Sequence, residues 1–354
     1  MKKTDLKDLT FAEIKAELES WGEPAYRAKQ VFEWVYQKGA ESFAAMTDLP
    51  RSLRARLDEI HSLRSLELAG ELRSEDGTAK LLFRLEDGRH IESVLIPAGG
   101  RRTLCLSTQV GCKFACAFCA SGAGGFERNL LASEILGQVL FLRDRLDVRL
   151  TNFVFMGMGE PLDNYDNVVR AILIMNSPEG LGIAARRMTI STVGIIPAME
   201  KLQGLGLQIN LSISLHATTD ELRSRLLPIN RRYPLKEVIK AGIRYAKATG
   251  RMITVEYILI SGINDSAADA RRLASTAGTL RAKVNLIPCS PGCGPGYEPS
   301  SGQRQSDFLQ ALEAAGIGAT LRRSKGGDIR AACGQLAGKA RQARAQSGLP
   351  ADQQ

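Results

Sequence analysis

Three cysteines, Cys112, Cys116 and Cys119, form the pattern C-x3-C-x2-C. The spacing fits one face of a buried helix, but Gly111 before it and a run of glycines after it disfavour a continuing helix. A structural zinc site uses four ligands, so zinc would need a further donor such as Cys105. In a [4Fe–4S] cluster, three thiolates would hold three irons and leave the fourth iron open, whereas an electron-transfer cluster uses four cysteines. The ligand count favours such a cluster, and zinc is the alternative.

A separate cysteine, Cys333, lies among basic residues. It stands in the sequence Ala-Ala-Cys-Gly-Gln-Leu, with Arg323, Lys325 and Arg330 just before it. A lone cysteine is usually a small buried residue beside a helix end. Neighbouring cations, however, lower the pKa of a thiol and make it a candidate nucleophile. Both roles stay open at this point.

Composition narrows the class of protein. The 354 residues are 44% hydrophobic and 24% charged, as in globular proteins, which excludes collagen, mucin and wholesale disorder. No run of about 18 apolar residues is present, and the first eight residues lack the apolar core of a signal peptide. We therefore expect a cytoplasmic protein without a membrane span. Seven cysteines is an odd number, and in a reducing compartment it argues against a disulfide framework.

Positive charge is concentrated near the C-terminus. The chain has 47 Lys and Arg against 38 Asp and Glu, a net charge of +9. Seven basic residues and one acidic residue lie between Arg322 and Arg344, which is two-thirds of that excess. The segment could bind a polyanion such as nucleic acid or form a solvated basic helix, and charge alone leaves both open. A second candidate RNA-facing surface lies in the N-terminal region, at Arg27, Lys29, Lys38, Arg51, Arg54 and Arg56.

The first hundred residues are predicted to form helices and then hairpins. Thr10 and Glu13 have the spacing of a capping box at the start of a first helix. Between Leu66 and Pro97, the turn pairs Asp76-Gly77 and Asp87-Gly88 predict a short antiparallel meander. Two further N-terminal helices are expected at about 24–39 and 51–61.

From Thr103 onward, short β-rich runs alternate with helical segments. This alternation predicts an α/β fold with parallel strands and outer helices, and six strands would make a partial barrel. The expected strands are Thr103–Ser107, Asn152–Phe155, Met188–Ser191, Ile209–Leu215, Ile253–Ile260 and Val284–Ile287. The expected helices include Ala132–Leu146, Leu235–Ala248 and Ala267–Leu280.

Polar groups follow several of these strands, where barrel chemistry is located. Gly159 and Glu160 follow the second strand and could equally be a plain turn before Pro161. Ser191 ends the third strand, and Ser214-Leu215-His216 ends the fourth. Taken alone, His216 would more often be a satisfied, half-buried histidine than a ligand.

The cysteine motif closely resembles that of the radical S-adenosylmethionine (SAM) superfamily, in which an aromatic residue such as Phe118 commonly precedes the third cysteine. The resemblance implies a partial (βα)6 radical SAM barrel and a [4Fe–4S] cluster on Cys112, Cys116 and Cys119. It also implies that the open iron binds SAM, which is cleaved to a 5′-deoxyadenosyl radical. The SAM-contacting residues it implies are Gly159, Glu160, Ser191, Ser214, Leu215, His216 and Ser290.

A closer resemblance is to the RlmN family of dual-specificity RNA adenine C2 methyltransferases. Glu92, Cys105, the cysteine motif, Gly159-Glu160, Ser-Leu-His and Ala-Ala-Cys-Gly-Gln-Leu occur in the family's order. The resemblance implies methylation of 23S rRNA and tRNA, with Cys333 carrying the methyl group. It further implies that Cys105 resolves an RNA adduct through a transient disulfide with Cys333, and that Glu92 accepts a proton.

The resemblance also sets expectations for organisation and partners. An electron donor such as flavodoxin and a monomeric state are expected. After Pro288 the family usually has an aromatic residue and Asn, where this chain has Cys289 and Ser290. The contact of Ser290 with SAM is therefore the least secure of those that the resemblance implies. Cys289 and Cys293 have no role in the family. The expected domains are a helical RNA-binding accessory domain (1–62), a β-hairpin linker (63–100), the barrel (101–300), a basic segment with the methyl-carrier cysteine (301–345) and a disordered tail (346–354).

Two alternatives are retained. One is a related enzyme that methylates C8 of the same 23S rRNA adenine, since no single residue separates the two. The other, from a different class, is a non-catalytic RNA-binding protein stabilised by zinc. Iron and sulfide content after anaerobic purification distinguishes the cluster from zinc.

Overall fold

The computed structural model describes residues 3–290, 293–322 and 325–337. Within these ranges the chain forms an α/β structure in which helices surround one large mixed sheet. The helices are α1 (Phe11–Ser20), α2 (Tyr26–Tyr36), α3 (Arg51–Ile60), α4 (Ala120–Ala123), α5 (Ala132–Asp144), α6 (Tyr165–Asn176), α7 (Ile196–Gln203), α8 (Asp220–Leu226), α9 (Leu235–Thr249), α10 (Ala267–Leu280) and α11 (Gly302–Ala314). The strands are β1 (Thr4–Asp5), β2 (His61–Ser62), β3 (Glu67–Arg73), β4 (Ala79–Arg84), β5 (His90–Ala98), β6 (Arg101–Cys105), β7 (Gln109–Gly111), β8 (Phe126–Asn129), β9 (Asn152–Phe155), β10 (Met188–Thr192), β11 (Asn210–Ser214), β12 (Thr254–Leu259), β13 (Lys283–Pro288) and β14 (Ala319–Leu321). Short 3-10 helices cover Leu6–Asp8, Phe43–Ala45, Ala185–Arg187 and Pro228–Arg231.

The N-terminal helices pack on the outside of the larger fold. The predicted capping box is confirmed, because the Thr10 hydroxyl accepts from the Glu13 amide while the Glu13 carboxylate accepts from the Thr10 amide. Strands β1 and β2 pair in parallel and join the start of this region to the end of α3. Asp8 accepts a hydrogen bond from the Ser133 amide at 2.7 Å, and Arg170 donates to the Asp8 carbonyl. These bonds attach the helical region to α5 and α6.

The large sheet has ten strands in the order β14-β13-β12-β11-β10-β9-β6-β5-β4-β3. The seven strands from β6 through β14 in this order pair in parallel, and the helices α5 to α11 lie in the connections between them. Strands β3, β4 and β5 form the predicted antiparallel meander. Because β5 also pairs with β6, the meander continues the parallel sheet.

The predicted partial barrel is confirmed, with one strand more than expected. Helix α10 and strand β9 have the predicted bounds, and the other five predicted strands agree within two residues at each end. The seventh parallel strand, β14, was not predicted, because it is short and preceded by glycines. In the described part of the chain, β3 and β14 are the two edges, so the barrel does not close.

Part of the C-terminal prediction falls outside the described ranges. The expected disordered tail (346–354) lies there, as do the basic residues Arg323, Lys339, Arg341 and Arg344. The remaining segment, residues 325–337, has no regular helix or strand and is called here the C-terminal segment.

Candidate active site

The three clustered cysteines lie in a loop. Cys112 directly follows β7, and Cys119 precedes α4 with an extended backbone (φ −123°, ψ 120°). The Cys112 amide donates to the Gly125 carbonyl at 2.8 Å. Gly111 has φ 74°, and a Cβ there would lie 1.8 Å from the same carbonyl oxygen, so the loop requires glycine. The buried-helix interpretation of this spacing is therefore wrong.

The chemistry of these thiols suits a metal cluster. Burial raises the pKa of Cys112 to about 12, and the neighbouring Cys119 adds to the rise. Burial also raises the pKa of Cys116, with Cys119 and Cys112 contributing. Three thiolates this close repel one another and need shared positive charge. Three thiolates can each bind one iron of a [4Fe–4S] cluster, whereas a structural zinc site uses four ligands.

Gly159 and Glu160 form a tight turn directly after β9. Gly159 has φ 98°, and a Cβ there would lie 2.5 Å from Cβ of Gln109, so this turn also requires glycine. The Glu160 carboxylate accepts from the Val193 amide at 2.9 Å and the Leu162 amide at 3.1 Å. Burial raises the pKa of Glu160 to about 7, although these hydrogen bonds oppose the rise. A substrate ammonium group would stabilise this buried carboxylate in its charged form.

The two serines at the ends of β10 and β11 lie side by side. The hydroxyl oxygens of Ser191 and Ser214 are 3.3 Å apart. Both residues line one cavity together with Glu160 and the three clustered cysteines, and we call this the cluster cavity. Leu215 differs from them, because its side chain is fully buried in the core and does not line the cavity. Its backbone is engaged as well, because its amide donates to the Glu256 carbonyl at 3.0 Å and its carbonyl accepts from Arg223 at 3.3 Å.

His216 lines the cluster cavity as a neutral imidazole. Its Nδ1 accepts from the Ile258 amide at 3.0 Å, and its ring meets Phe118 edge to face at 4.7 Å between centroids. Burial lowers the pKa of His216 to about 3, with a further contribution from Arg223. The neutral ring therefore has an Nε2–H to donate.

Arg223, which the sequence analysis did not single out, is fully buried behind this wall. It donates to the Val193 carbonyl at 2.7 Å and to the Leu215 carbonyl at 3.3 Å, so it joins the two strand-end motifs. Burial lowers the pKa of Arg223 to about 10, and negative charge at Cys116 opposes that shift. An arginine in a helix with charged neighbours gives no sequence signal of such a position.

Cys105 and Cys333 line a second cavity, which we call the thiol cavity. Ser290 lines it as well, although it does not line the cluster cavity. Cys333 lines both cavities, together with Cys119 and Arg322. Cys333 therefore borders the clustered cysteines in one cavity and Cys105 in the other.

Arg322, counted in the sequence only as a basic residue, belongs to both cavities. It directly follows β14, and its amide donates to the Leu286 carbonyl at 2.8 Å. Negative charge at Cys333 raises the pKa of Arg322 against the effect of burial. Burial raises the pKa of Cys105 to about 12; Cys333 adds to this, and Arg322 opposes it. A guanidinium that stays charged at any relevant pH therefore favours the thiolate forms here.

Glu92 connects the meander to the C-terminal segment. It lies on β5 and is 6% exposed; its Oε1 is 3.2 Å from Nζ of Lys80, and its Oε2 accepts from the Ala337 amide at 2.7 Å. Lys80 also donates to the Arg330 carbonyl at 3.2 Å. The buried Lys80–Glu92 pair thus holds the C-terminal segment on both sides of Cys333. Glu92 is not among the residues lining either cavity.

The remaining two cysteines form a disulfide. Cys289 and Cys293 are bonded and buried, whereas Cys105 and Cys333 are free. The sequence assigned no role to this pair, and the structure shows a local disulfide that packs in a small apolar cluster with Phe118. Two cysteines in one loop are brought together by local geometry, whatever the total number of cysteines.

The chain is similar to known proteins over nearly its whole length. Residues 106–274 match a family model described as the radical SAM superfamily, and residues 4–63 match one described as the ribosomal RNA large subunit methyltransferase N-terminal domain. A probable dual-specificity RNA methyltransferase RlmN of Symbiobacterium thermophilum is 48% identical over 93% of this chain and 89% of its own. The dual-specificity RNA methyltransferase RlmN of Geobacter sulfurreducens is 46% identical over 95% of this chain and 92% of its own. A crystal structure of a radical SAM methyltransferase from Sphaerobacter thermophilus, 46% identical, superposes with a TM-score of 0.89 and covers 95% of this chain and 100% of its own.

The fold and the cysteine loop thus define a radical SAM enzyme, a class that implies SAM and a [4Fe–4S] cluster as cofactors. Within that class, the chain belongs to the RlmN family of dual-specificity RNA methyltransferases. Family membership sets aside the non-catalytic zinc protein. Among the described residues, no helix has the length and apolar character needed to cross a membrane.

Proposed function

We propose that this enzyme methylates C2 of a specific adenine in the peptidyl-transferase loop of 23S rRNA and of an adenine next to the anticodon in tRNA, in the cytoplasm. The relatives are named dual-specificity RNA methyltransferases, which supports RNA as the substrate. The observation that carries the proposal is the position of Cys333 on the walls of both cavities. A methyl group on its sulfur would face the cluster cavity, and a bond from that carbon to RNA would be within the reach of Cys105.

The cluster cavity would hold SAM beside the three cysteine ligands. Cys112, Cys116 and Cys119 would bind three irons, and Glu160 would pair with the SAM ammonium group. Ser191, Ser214 and the Nε2–H of His216 are further polar groups for the ribose and carboxylate, with Gly159 beside them, and Leu215 would act by holding Ser214 and His216 in place. When bound, the cluster supplies the electron that cleaves SAM to methionine and a 5′-deoxyadenosyl radical.

Cys333 would carry the methyl group. Adenine C2 is a poor nucleophile, so direct displacement of the SAM methyl group by this carbon fails. The Cys333 thiolate would instead displace it from a first SAM, forming S–CH3 and releasing S-adenosylhomocysteine. Loss of one hydrogen atom from this S-methyl group gives a carbon radical that bonds to C2 and joins Cys333 to the RNA.

Cys105 would release the product. The adduct must lose one electron, which the cluster, when bound, would take back, and its C2 proton, for which the family resemblance implies Glu92 as the final acceptor from its place behind the cavity wall, paired with Lys80. The Cys105 thiolate then attacks the Cys333 sulfur. The sulfur–carbon bond breaks, the methylene carbon takes a proton to become the methyl group, and a Cys105–Cys333 disulfide remains for an external dithiol to reduce. The positive charge of Arg322 supports this step by favouring the Cys105 thiolate.

The test is nucleoside mass spectrometry of 23S rRNA and tRNA from a deletion strain. We expect 2-methyladenosine to disappear from both RNAs and to return with the wild-type gene. Loss of 8-methyladenosine instead would establish the related C8 reaction, and unchanged methylation of both RNAs would contradict the proposal.

A further inference from the structure

A groove at the edge of the barrel opposite the cysteine loop carries unusual charge. It is lined by the β5–β6 turn, by the residues that precede β9 and by one residue that precedes β10. All of these lie at the N-terminal ends of parallel strands, whereas the cysteine loop follows a C-terminal end. The basic side chains of this groove, here called the basic groove, are Arg101, Arg102, Arg149, Arg187 and Lys325.

Four of these five cations have no acidic partner. Arg101, Arg102, Arg149 and Arg187 are exposed, and none forms an ion pair with another described residue. Asp76 is the single acidic residue lining the groove. Burial disfavours its charge, but hydrogen bonds from Thr78 and Gly326 outweigh burial and hold the pKa of Asp76 at about 2.

The charge of Asp76 is already matched by Lys325. Its Oδ2 lies 3.7 Å from Nζ of Lys325 and accepts from the Gly326 amide at 3.1 Å. The groove therefore keeps four uncompensated guanidinium groups at neutral pH. Converging arginines of this kind bind phosphate groups, and a row of them follows a nucleic-acid backbone.

The basic residues of the N-terminal helices offer a contrast. Arg27 is paired with Glu23 at 3.9 Å, Lys29 with Glu33 at 3.8 Å, and Lys38 with Asp48 at 3.7 Å. Three of the six cations that the sequence made candidates for an RNA-facing surface are thus compensated by carboxylates of their own region, whereas Arg51, Arg54 and Arg56 form no ion pair with a described residue. The basic groove differs from this surface in bringing four unpaired guanidinium groups to one cavity.

The basic groove is joined to the thiol cavity. Lys325 lines both, and it belongs to the same segment as Cys333. A nucleotide base in the thiol cavity would therefore have the phosphates of its own strand beside Lys325 and the neighbouring arginines. From this continuity we infer that the basic groove binds the RNA backbone flanking the target adenine, so that RNA approaches Cys333 from the N-terminal edge of the barrel. The inference rests on the proposed function for its substrate.

The experiment compares two double variants of the anaerobically reconstituted holoenzyme. R149Q/R187Q removes two groove charges; the matched control, K236Q/K247Q, removes two exposed cations from α9 on the outside of the fold. Binding of a fluorescein-labelled anticodon stem-loop RNA is measured by anisotropy over a range of KCl concentrations. We expect the slope of log K against log salt to fall in magnitude by about 1.5 for the groove variant, since each lost phosphate contact removes 0.7–0.9. The control should keep the wild-type slope.

Several outcomes would overturn the inference. An unchanged slope in R149Q/R187Q, or an equal fall in both variants, would show that the groove is not the RNA site. Duplex DNA of the same length that bound as tightly, with the same sensitivity to R149Q/R187Q, would contradict the assignment to RNA. Methylation of Cys333 and SAM cleavage should stay at wild-type levels in both variants, which shows intact folding. Failure of the wild-type enzyme to bind RNA would contradict the proposed function, whereas failure of the groove variant alone to differ contradicts only this inference.

Discussion

The cluster cavity and the thiol cavity meet at Cys333 but are built from different kinds of sequence. The cluster cavity is formed by the cysteine loop and by successive strand ends, which hold one another through Glu160–Val193 and Arg223–Leu215 hydrogen bonds. The thiol cavity is lined by residues of β5, β6, β9 and β13 and by six residues of the irregular C-terminal segment, which contributes two, Cys333 and Gly334, to the cluster cavity. The thiol cavity therefore depends more on how this segment docks.

The C-terminal segment docks through buried apolar side chains, Ile329, Ala331 and Leu336, and through a set of polar contacts. The C-terminal segment is held by Lys80 and Glu92 at its two ends and by the Ser121 hydroxyl, which donates to the Leu336 carbonyl at 2.6 Å. The Ala120 amide also donates to the Gly334 carbonyl at 2.7 Å, directly beside the cysteine loop. The comparison teaches that SAM cleavage and methyl transfer should be separable by mutation, because each depends mainly on one cavity.

The largest expected effect is on the cluster cavity. Replacing Cys116 by Ala should abolish the cluster and SAM cleavage together, because no spare thiol lies at matching spacing. Iron and sulfide content and 5′-deoxyadenosine formation measure the two losses. Wild-type iron content with full SAM cleavage in C116A would break the assignment of the cluster ligands.

The second expected effect is a loss of methyl transfer, which depends on the thiol cavity, without loss of SAM cleavage in the cluster cavity. Replacing Cys333 by Ala should preserve iron content and weak SAM cleavage but abolish methyl transfer to RNA, because the variant lacks the methyl carrier. Peptide mass spectrometry of the wild-type enzyme should find a methyl group on Cys333. Methylated RNA from C333A would contradict the proposed role.

A smaller effect is expected from the docking of the C-terminal segment. Replacing Lys80 by Met removes the ammonium group that lies 3.2 Å from the buried Glu92 carboxylate, and loss of one partner of a buried ion pair costs about 3–5 kcal/mol. Hydrogen exchange of peptides covering 326–337 should become about a hundredfold faster, and Cys333 methylation should fall while SAM cleavage persists. Lys80→Arg should restore both, and Lys240→Met, at an exposed ion pair, should change neither. Wild-type exchange in K80M would show that the ion pair does not hold the segment.

The same contrast explains what the sequence could and could not predict. Helix α10 and strand β9 were predicted with their bounds, because hydrophobic periodicity and caps are local signals. The cysteine loop was recognised for the same reason, since its three thiols lie within eight residues. The sequence allowed a turn at Gly159, and the structure adds that a Cβ at Gly111 would collide with the Gly125 carbonyl and one at Gly159 with Gln109 of β7.

Contacts between residues that are far apart in the sequence leave no local signal of this kind. Lys80 and Arg330 are 250 positions apart, and nothing in either stretch indicates that they touch. The basic groove collects arginines from three separate connections, so no charge run marks it in the sequence. Strand β14 and the continuity of β5 with β6 also depend on partners far along the chain. The parts that were missed are therefore those that only tertiary contacts create.

The most direct test of the two-cavity account is the purification of Cys105→Ala. If Cys333 forms the bond to RNA and Cys105 only resolves it, this variant should accumulate protein covalently joined to RNA. The adduct should appear as absorbance at about 260 nm and as a nuclease-sensitive band in a denaturing gel. It should withstand high salt, because a covalent bond does not depend on ionic contacts. The double variant C105A/C333A should carry no adduct. An inactive Cys105→Ala enzyme free of RNA would contradict the account and would assign the release step to another residue.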